Sequence, residues 1–134
     1  MLNNDNEISA ILVTGGEGRG GQILDSVELF HMNGTRQCSL PNLKSPRRMH
    51  SQTGLLACGN KNGMDPSMNT CESYDTKIGN WTDSHTMQRG RFHHSAWKSP
   101  HGVMLLGGGT GSGSLTTAEV LDKPNRVYPI RSTT

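Results

Sequence analysis

The chain has 134 residues, a formal net charge of +2 and few aromatic side chains. One domain is expected at this length, and so small a net charge gives no reason to expect binding to nucleic acid. No apolar run approaches the length of a membrane span, and the opening MLNNDNEIS lacks the basic and apolar regions of a signal peptide. The sequence predicts no membrane insertion and leaves the compartment open: cytoplasmic, or secreted if the chain is an internal fragment.

Short strands are predicted along most of the chain. Apolar runs of about five residues alternate with loops rich in Gly, Asn, Ser and Asp, a pattern typical of strands joined by tight turns. The predicted strands lie near 10–15, 26–31, 36–40, 50–54, 55–59, 70–75, 80–85, 94–98, 103–107, 117–121 and 126–130. Together with 17 glycines, they predict an all-β protein built from antiparallel sheets.

The first glycine cluster has two interpretations. Residues 16–21, GEGRGG, come directly after the apolar run ILVTG and match the G-x-G-x-x-G of a dinucleotide-binding turn. The same residues suit a strand that ends in a glycine pair and turns into a hairpin. A nucleotide-binding turn occurs once in a fold, whereas this unit occurs three times, as ILVTGG, LLACGN and VMLLGG. The repetition favours the hairpin, so no nicotinamide cofactor is predicted.

An internal repeat underlies that pattern. Arg47, His50 and Ser51 recur 44 places later as Arg91, His94 and Ser95. Glutamates recur in phase at Glu28, Glu72 and Glu119, each in a short strand that follows a glycine unit. Recurrence of this kind predicts a structural role for the glutamates and for the two arginines, rather than a site formed by three acids.

With Tyr74 and Trp81 at fixed offsets after Gly59 and Asn60, the repeat resembles the kelch repeat. The resemblance extends from Ile11 to about Ile130 and is most complete between residues 50 and 87. There are departures: Asn60 replaces the second glycine, and Gln37 and Leu121 stand where the family has aromatic residues. The resemblance implies a β-propeller, whose blades are four-stranded antiparallel sheets arranged around a channel.

The resemblance also divides the chain. We expect an N-terminal tail at 1–9, an incomplete kelch-type propeller at 10–131 and a C-terminal tail at 132–134. The blades are expected at about 10–43, 44–87 and 88–131, and the first lacks the strand that would precede residue 11. Because a propeller needs about four blades or more, we expect either a fragment of a larger propeller or self-association through the exposed faces of the end blades.

No catalytic residue, metal site or cofactor is predicted. His93 and His94 are adjacent in RFHHSAW, and neighbouring side chains of a strand point to opposite faces. Galactose oxidase is a kelch-type enzyme whose copper site uses tyrosine and histidine, but only Tyr74 and Tyr128 occur here, and Tyr74 takes the structural aromatic position. The resemblance therefore implies a non-catalytic protein-interaction scaffold. The alternative is part of a galactose-oxidase-like enzyme or a carbohydrate-related secreted protein.

Five side chains suit covalent modification or remain as thiols. Cys58 ends one predicted strand and Cys71 begins the next, so a disulfide and a reduced pair are both compatible with the sequence, with Cys38 apart. Asn33 and Asn80 begin the sequons NGT and NWT, which accept N-linked glycans in the secretory pathway.

The expected binding surface is one rim of the blades. The second and fourth strands of an antiparallel blade run the same way, so the loops 16–25, 41–49, 60–69, 88–93 and 109–116 emerge together. These loops contain seven basic residues, of which Arg47 and Arg91 occupy repeat positions. Arg19, Arg48, Lys61 and Arg89 are predicted to bind an acidic segment of a protein partner, since arginine grips carboxylates with two parallel bonds.

Overall fold

A computed structural model describes residues 10–60, 68–122 and 127–130. Its strands are β1 (Ala10–Thr14), β2 (Val27–His31), β3 (Arg36–Leu40), β4 (Ser51–Thr53), β5 (Leu56–Asn60), β6 (Met68–Asp75), β7 (Asn80–Thr86), β8 (Ser95–Ser99), β9 (Gly102–Leu106), β10 (Gly109–Thr110), β11 (Gly113–Ser114), β12 (Ala118–Leu121) and β13 (Val127–Ile130). The helical part of these ranges is one 3-10 turn, Arg19–Gly21, and no helix in them is long and apolar enough to cross a membrane. The all-β prediction is confirmed.

The strands form three antiparallel sheets that follow one another along the chain. Sheet 1 has the order β1-β2-β3, sheet 2 the order β4-β5-β6-β7 and sheet 3 the order β8-β9-β12-β13. The small hairpin β10-β11 lies in the connection between β9 and β12. In each sheet, strands that neighbour each other in sequence pair with each other. The connecting loops therefore lie alternately at the two ends of the strands.

The three sheets share one register. Each recurring glutamate lies opposite an apolar residue: Val13 opposite Glu28, Ala57 opposite Glu72, and Leu105 opposite Glu119. At the next paired position of the same strands, Thr14 lies opposite Val27, Cys58 opposite Cys71, and Leu106 opposite Ala118. Because successive side chains point to opposite faces, the first set defines the glutamate face of each sheet and the second set its reverse face.

Neighbouring sheets pack a reverse face against a glutamate face. Val27 of sheet 1 shares a buried cluster with Ala57 and Trp81 of sheet 2. Cys58 and Cys71 of sheet 2 share a second cluster with Leu105 and Leu121 of sheet 3. The core is therefore two apolar layers between three sheets, each built from the same register positions. Burial of such side chains contributes about 1.5 to 3 kcal/mol apiece.

Glycine at the ends of β5 and β9 permits this close packing. Gly59 has φ +79°, and a Cβ there would overlap the carbonyl oxygen of Arg91. Gly108 has φ +92°, and a Cβ there would lie 2.6 Å from the carbonyl oxygen of Phe92. The left-handed backbone and the lack of space both require glycine, which explains why the repeat carries it after each apolar run.

Candidate functional site

The loop between sheets 1 and 2 is fixed by a buried ion pair. Arg47 Nε donates to Glu72 Oε2 at 2.9 Å. The same guanidinium donates to the carbonyl oxygens of Gly59 at 3.1 Å and Thr70 at 2.9 Å. The backbone N–H of Lys44 donates to Glu72 Oε1 at 2.6 Å. The buried charges are therefore paired and hydrogen-bonded, the condition under which such a pair is tolerated in a core.

The same arrangement holds the loop between sheets 2 and 3. Arg91 Nη2 donates to Glu119 Oε2 at 2.9 Å. Its Nη1 donates to the carbonyl oxygens of Gly107 and Thr117, both at 2.8 Å, and the backbone N–H of Gln88 donates to Glu119 Oε1 at 2.6 Å. We call each of these pairs with its loop contacts an Arg–Glu clamp. Both arginines lie inside the protein rather than on a binding rim.

The glutamate of sheet 1 has a different environment. The side chain of Glu28 is 34% exposed, and Arg36 on the neighbouring strand lies 3.6 Å from it. The position 44 residues before Arg47 is Asn3, which lies outside the described residues. Among the described residues, nothing covers the glutamate face of sheet 1, whereas the same face of sheets 2 and 3 is covered.

The predicted rim corresponds to one edge where loops from all three sheets meet. Gly16 N donates to the carbonyl oxygen of Arg47 at 2.7 Å, Asn60 N donates to that of Arg91 at 3.2 Å, and Phe92 N donates to that of Gly109 at 3.2 Å. We call the loops 15–26, 41–50, 87–94 and 107–117 the loop edge. Each clamp arginine joins two sheets here. Its backbone carbonyl accepts a hydrogen bond from the sheet that precedes it in the chain, and its guanidinium donates to the sheet that follows it.

The predicted partner-binding residues differ in their availability on this edge. Arg19 and Arg89 are exposed, and among the described residues no carboxylate forms an ion pair with either. Arg48 is half-buried and its Nη1 donates to Glu17 at 2.8 Å. Lys61 lies outside the described residues. The positive charge of the edge is therefore concentrated on fewer side chains than the sequence predicts.

Two clefts open among the loops of this edge. One, of about 440 Å³, is lined by Ile23, Ser45, Pro46, Asn60 and Met68. Asn60, at the position where the repeat has its second glycine, builds the floor: its amide donates to Pro46 O at 2.9 Å and its Oδ1 accepts from Arg48 N at 2.8 Å. The other, of about 190 Å³, is lined by residues that include Arg89 and Pro129. In the sequence Asn60 is only a departure from the repeat, and no local signal indicates this role.

The two recurring histidines, His50 and His94, join neighbouring sheets. His50 Nε2 lies 3.0 Å from Thr14 Oγ1, and His94 Nε2 lies 2.7 Å from Ser51 Oγ. Burial and the nearby Arg91 lower the pKa of His94 to about 4, and burial lowers the pKa of His50. Both rings are therefore neutral at physiological pH. In ranges 10–60, 68–122 and 127–130, no group of three or more His, Cys, Asp or Glu side chains is arranged to hold a metal ion.

The structure also places the candidate modification residues. Cys58 and Cys71 form a disulfide across β5 and β6 with a Cα–Cα distance of 4.2 Å, and Cys38 is an exposed free thiol. Asn33 lies in the exposed turn between β2 and β3, where its Oδ1 accepts from Thr35 N at 3.0 Å. Asn80 is exposed at the start of β7. Both asparagines are thus accessible to a glycosylating enzyme.

A larger polar cleft lies along β6 and β7 of sheet 2 and reaches Asp122, which follows β12 of sheet 3. Its volume is about 550 Å³, and its walls include Asp75, Lys77, Asp83 and His85. His85 Nε2 lies 3.1 Å from the carbonyl oxygen of Asp122, which joins the two sheets across the cleft.

No protein-family model matches the chain, and no curated protein sequence matches it. The common register of the three sheets and the two Arg–Glu clamps are the structural features that bear on function.

Proposed function

We propose that the three sheets are successive blades of a kelch-type β-propeller whose loop edge binds a protein partner without catalysing a reaction. The observation that supports this most strongly is the repeated clamp. Arg47 and Arg91 each tie a connecting loop to the sheets on either side of it. Loops held in this way form a rigid recognition surface, which lowers the conformational entropy lost on binding.

The chemistry of the edge favours an acidic segment that also carries an apolar side chain. Arg19 and Arg89 are exposed there and offer planar guanidinium groups to carboxylates. Ile23, Pro46 and Met68 give the neighbouring cleft an apolar wall. An apolar residue of the partner would enter this cleft while flanking carboxylates pair with the arginines.

A copper-dependent oxidase activity finds no support in Tyr74. Its ring packs edge to face on Trp81, with ring centroids 5.6 Å apart, in the layer between sheets 1 and 2. It contributes to the core at the position that the kelch resemblance assigns to a structural aromatic residue.

Peptide selection on the intact chain tests the proposal. Random dodecapeptides displayed on phage are selected on the immobilised chain, and the best binders are labelled for fluorescence anisotropy. We expect peptides rich in Asp and Glu, and an affinity about tenfold weaker with a smaller salt dependence for Arg19→Ser with Arg89→Ser. The matched control is Lys77→Ser with Lys98→Ser, two exposed lysines outside the loop edge. Binders without net negative charge, or equal losses in both double variants, would reject the proposal.

A further inference from the structure

Each end sheet leaves one apolar face uncovered within the described chain. On sheet 3 the reverse face exposes Trp97 by 56% and Leu106 by 41%. On sheet 1 the glutamate face exposes Val13 by 45% and Ile11 by 47%. Clusters of exposed large apolar side chains on a small protein mark association surfaces, and an exposed tryptophan is the most costly of them to leave in water.

These two faces are the two halves of an interface that the chain already forms twice. Leu106 and Ala118 of sheet 3 hold the register positions of Cys58 and Cys71, which pack against sheet 3. Val13 of sheet 1 holds the register position of Ala57, which packs against sheet 1. In both internal interfaces a reverse face meets a glutamate face.

We propose that the reverse face of sheet 3 binds the glutamate face of sheet 1 in a second copy of the chain, and that the reciprocal contact closes the pair. The contact joins two different surfaces, so it is heterologous and produces a ring when the rotation closes. Two copies contribute six sheets, within the range of about four to eight blades over which propellers close. This assembly is independent of what the loop edge binds.

The polar groups of the two faces are compatible with burial. Within the described residues Glu28 has no clamp arginine, and Arg36 lies 3.6 Å away on the same sheet, so the charge enters the interface with its partner. Desolvation of this looser pair opposes association. The contact between copies is therefore weaker than the two internal interfaces, and the dimer dissociates on dilution.

Sedimentation equilibrium of the intact chain over a range of concentrations tests the assembly. We expect a monomer–dimer equilibrium with a mass of two chains at high concentration. Trp97→Glu and Val13→Glu, each at an exposed position and on opposite halves of the interface, should both give monomers. Ile78→Glu is the matched control, because Ile78 is 64% exposed in the turn between β6 and β7 and lies on neither face. Circular dichroism checks that each variant keeps its strands.

Mixing the two variants identifies the head-to-tail geometry. Trp97→Glu keeps an intact glutamate face on sheet 1, and Val13→Glu keeps an intact reverse face on sheet 3. One native contact can then form between them, so the mixture should regain a dimer that neither variant forms alone. Trp97 emission should shift to the blue as that dimer forms, since Trp81, the other of the two tryptophans, is already buried.

Three results would overturn the proposal. The first is a wild-type chain that stays monomeric at every concentration. The second is a Val13→Glu variant that still dimerises, which would show reverse faces pairing with each other. The third is growth of the wild type into ever longer oligomers, which would show that the contact does not close.

Discussion

Arg47 Nε and Glu72 Oε2 lie 2.9 Å apart, and the two side chains are 1% and 0% exposed. A pair buried to this extent stabilises the fold only while both partners are present, because each charge alone would face an apolar interior. Its counterpart, Arg91 with Glu119, is equally buried. The two clamps determine how each loop crosses from one sheet to the next.

Removing Arg91 should be strongly destabilising. Arg91→Ala leaves Glu119 buried without its cation and deprives the carbonyls of Gly107 and Thr117 of a donor. We expect a loss of about 3 to 5 kcal/mol in the free energy of unfolding, measured by urea titration. Arg36→Ala, which removes the looser and exposed partner of Glu28, should cost less than about 1 kcal/mol. Similar losses in the two variants would show that the buried clamp contributes no more to the free energy of unfolding than an exposed ion pair does.

Stability should fall as the pH is lowered through the range in which the buried histidines protonate. Burial, then Arg91, lower the folded-state pKa of His94 to about 4 from 6.5. The unfolded chain therefore binds more protons between these values, so the free energy of unfolding falls by a few kcal/mol as the pH drops from about 6.5 to about 4.

His94→Gln tests that assignment. The variant should flatten the slope of Tm against pH in that window, even if it is somewhat less stable at neutral pH because its bond to Ser51 changes. His50, whose pKa burial also lowers, should give the remaining slope. His101→Gln, at an exposed position in the turn between β8 and β9, is the matched control for the substitution itself. A wild-type slope in His94→Gln would contradict the assignment.

The disulfide between Cys58 and Cys71 should stabilise the fold measurably. The bond closes a sequence separation of 13 residues, which corresponds to about 3 kcal/mol on the chain-entropy model. In a Cys38→Ser background, reductant should therefore lower Tm, and the effect should vanish when both paired cysteines are replaced. A thiol titration of the Cys38→Ser chain, unfolded without reductant, should find no free thiol. Two free thiols would show that Cys58 and Cys71 are not bonded.

Two glycines with positive φ should respond differently to alanine. Gly54 has φ +57° and no atom near the place of a Cβ, so Gly54→Ala should cost only the roughly 1 to 2 kcal/mol of a left-handed alanine. Gly59 has φ +79°, and a Cβ there would overlap the carbonyl of Arg91, which belongs to the next inter-sheet loop. Gly59→Ala should therefore cost at least about 2 kcal/mol more by urea titration. Equal costs would mean that the loop can move away.

The repeat could be predicted from the sequence because it depends on spacing along the chain. Glu28, Glu72 and Glu119 recur in phase, and the structure places each opposite an apolar residue on the neighbouring strand. Strand direction alone predicts that the loops share an edge. Within the loop expected at residues 109–116 the structure forms the small ladder β10-β11, which the strand prediction does not include.

The charge of the loop edge could not be predicted in the same way. Which carboxylate each cation meets depends on how the loops cross in space, and Arg47 and Glu72 are far apart in the sequence. The sequence shows seven basic residues in these loops, but two are buried in clamps, Lys44 pairs with Asp83 and Arg48 pairs with Glu17. The contact of His94 with Ser51 also crosses between sheets, and no local pattern indicates it.

Amide hydrogen exchange at two loop residues tests the repeated architecture most directly. Lys44 and Gln88 have exposed side chains in inter-sheet loops, yet their backbone N–H groups donate to the buried Glu72 and Glu119, both at 2.6 Å. We predict that both amides exchange as slowly as those of the central strands, because opening either bond requires the clamp to break. The amide of Lys77, whose exposed hydrogen bond goes to the half-buried Asp75 in the turn between β6 and β7, should exchange quickly. Exchange of Lys44 and Gln88 as fast as that of Lys77 would contradict the account of three sheets joined by repeated Arg–Glu clamps.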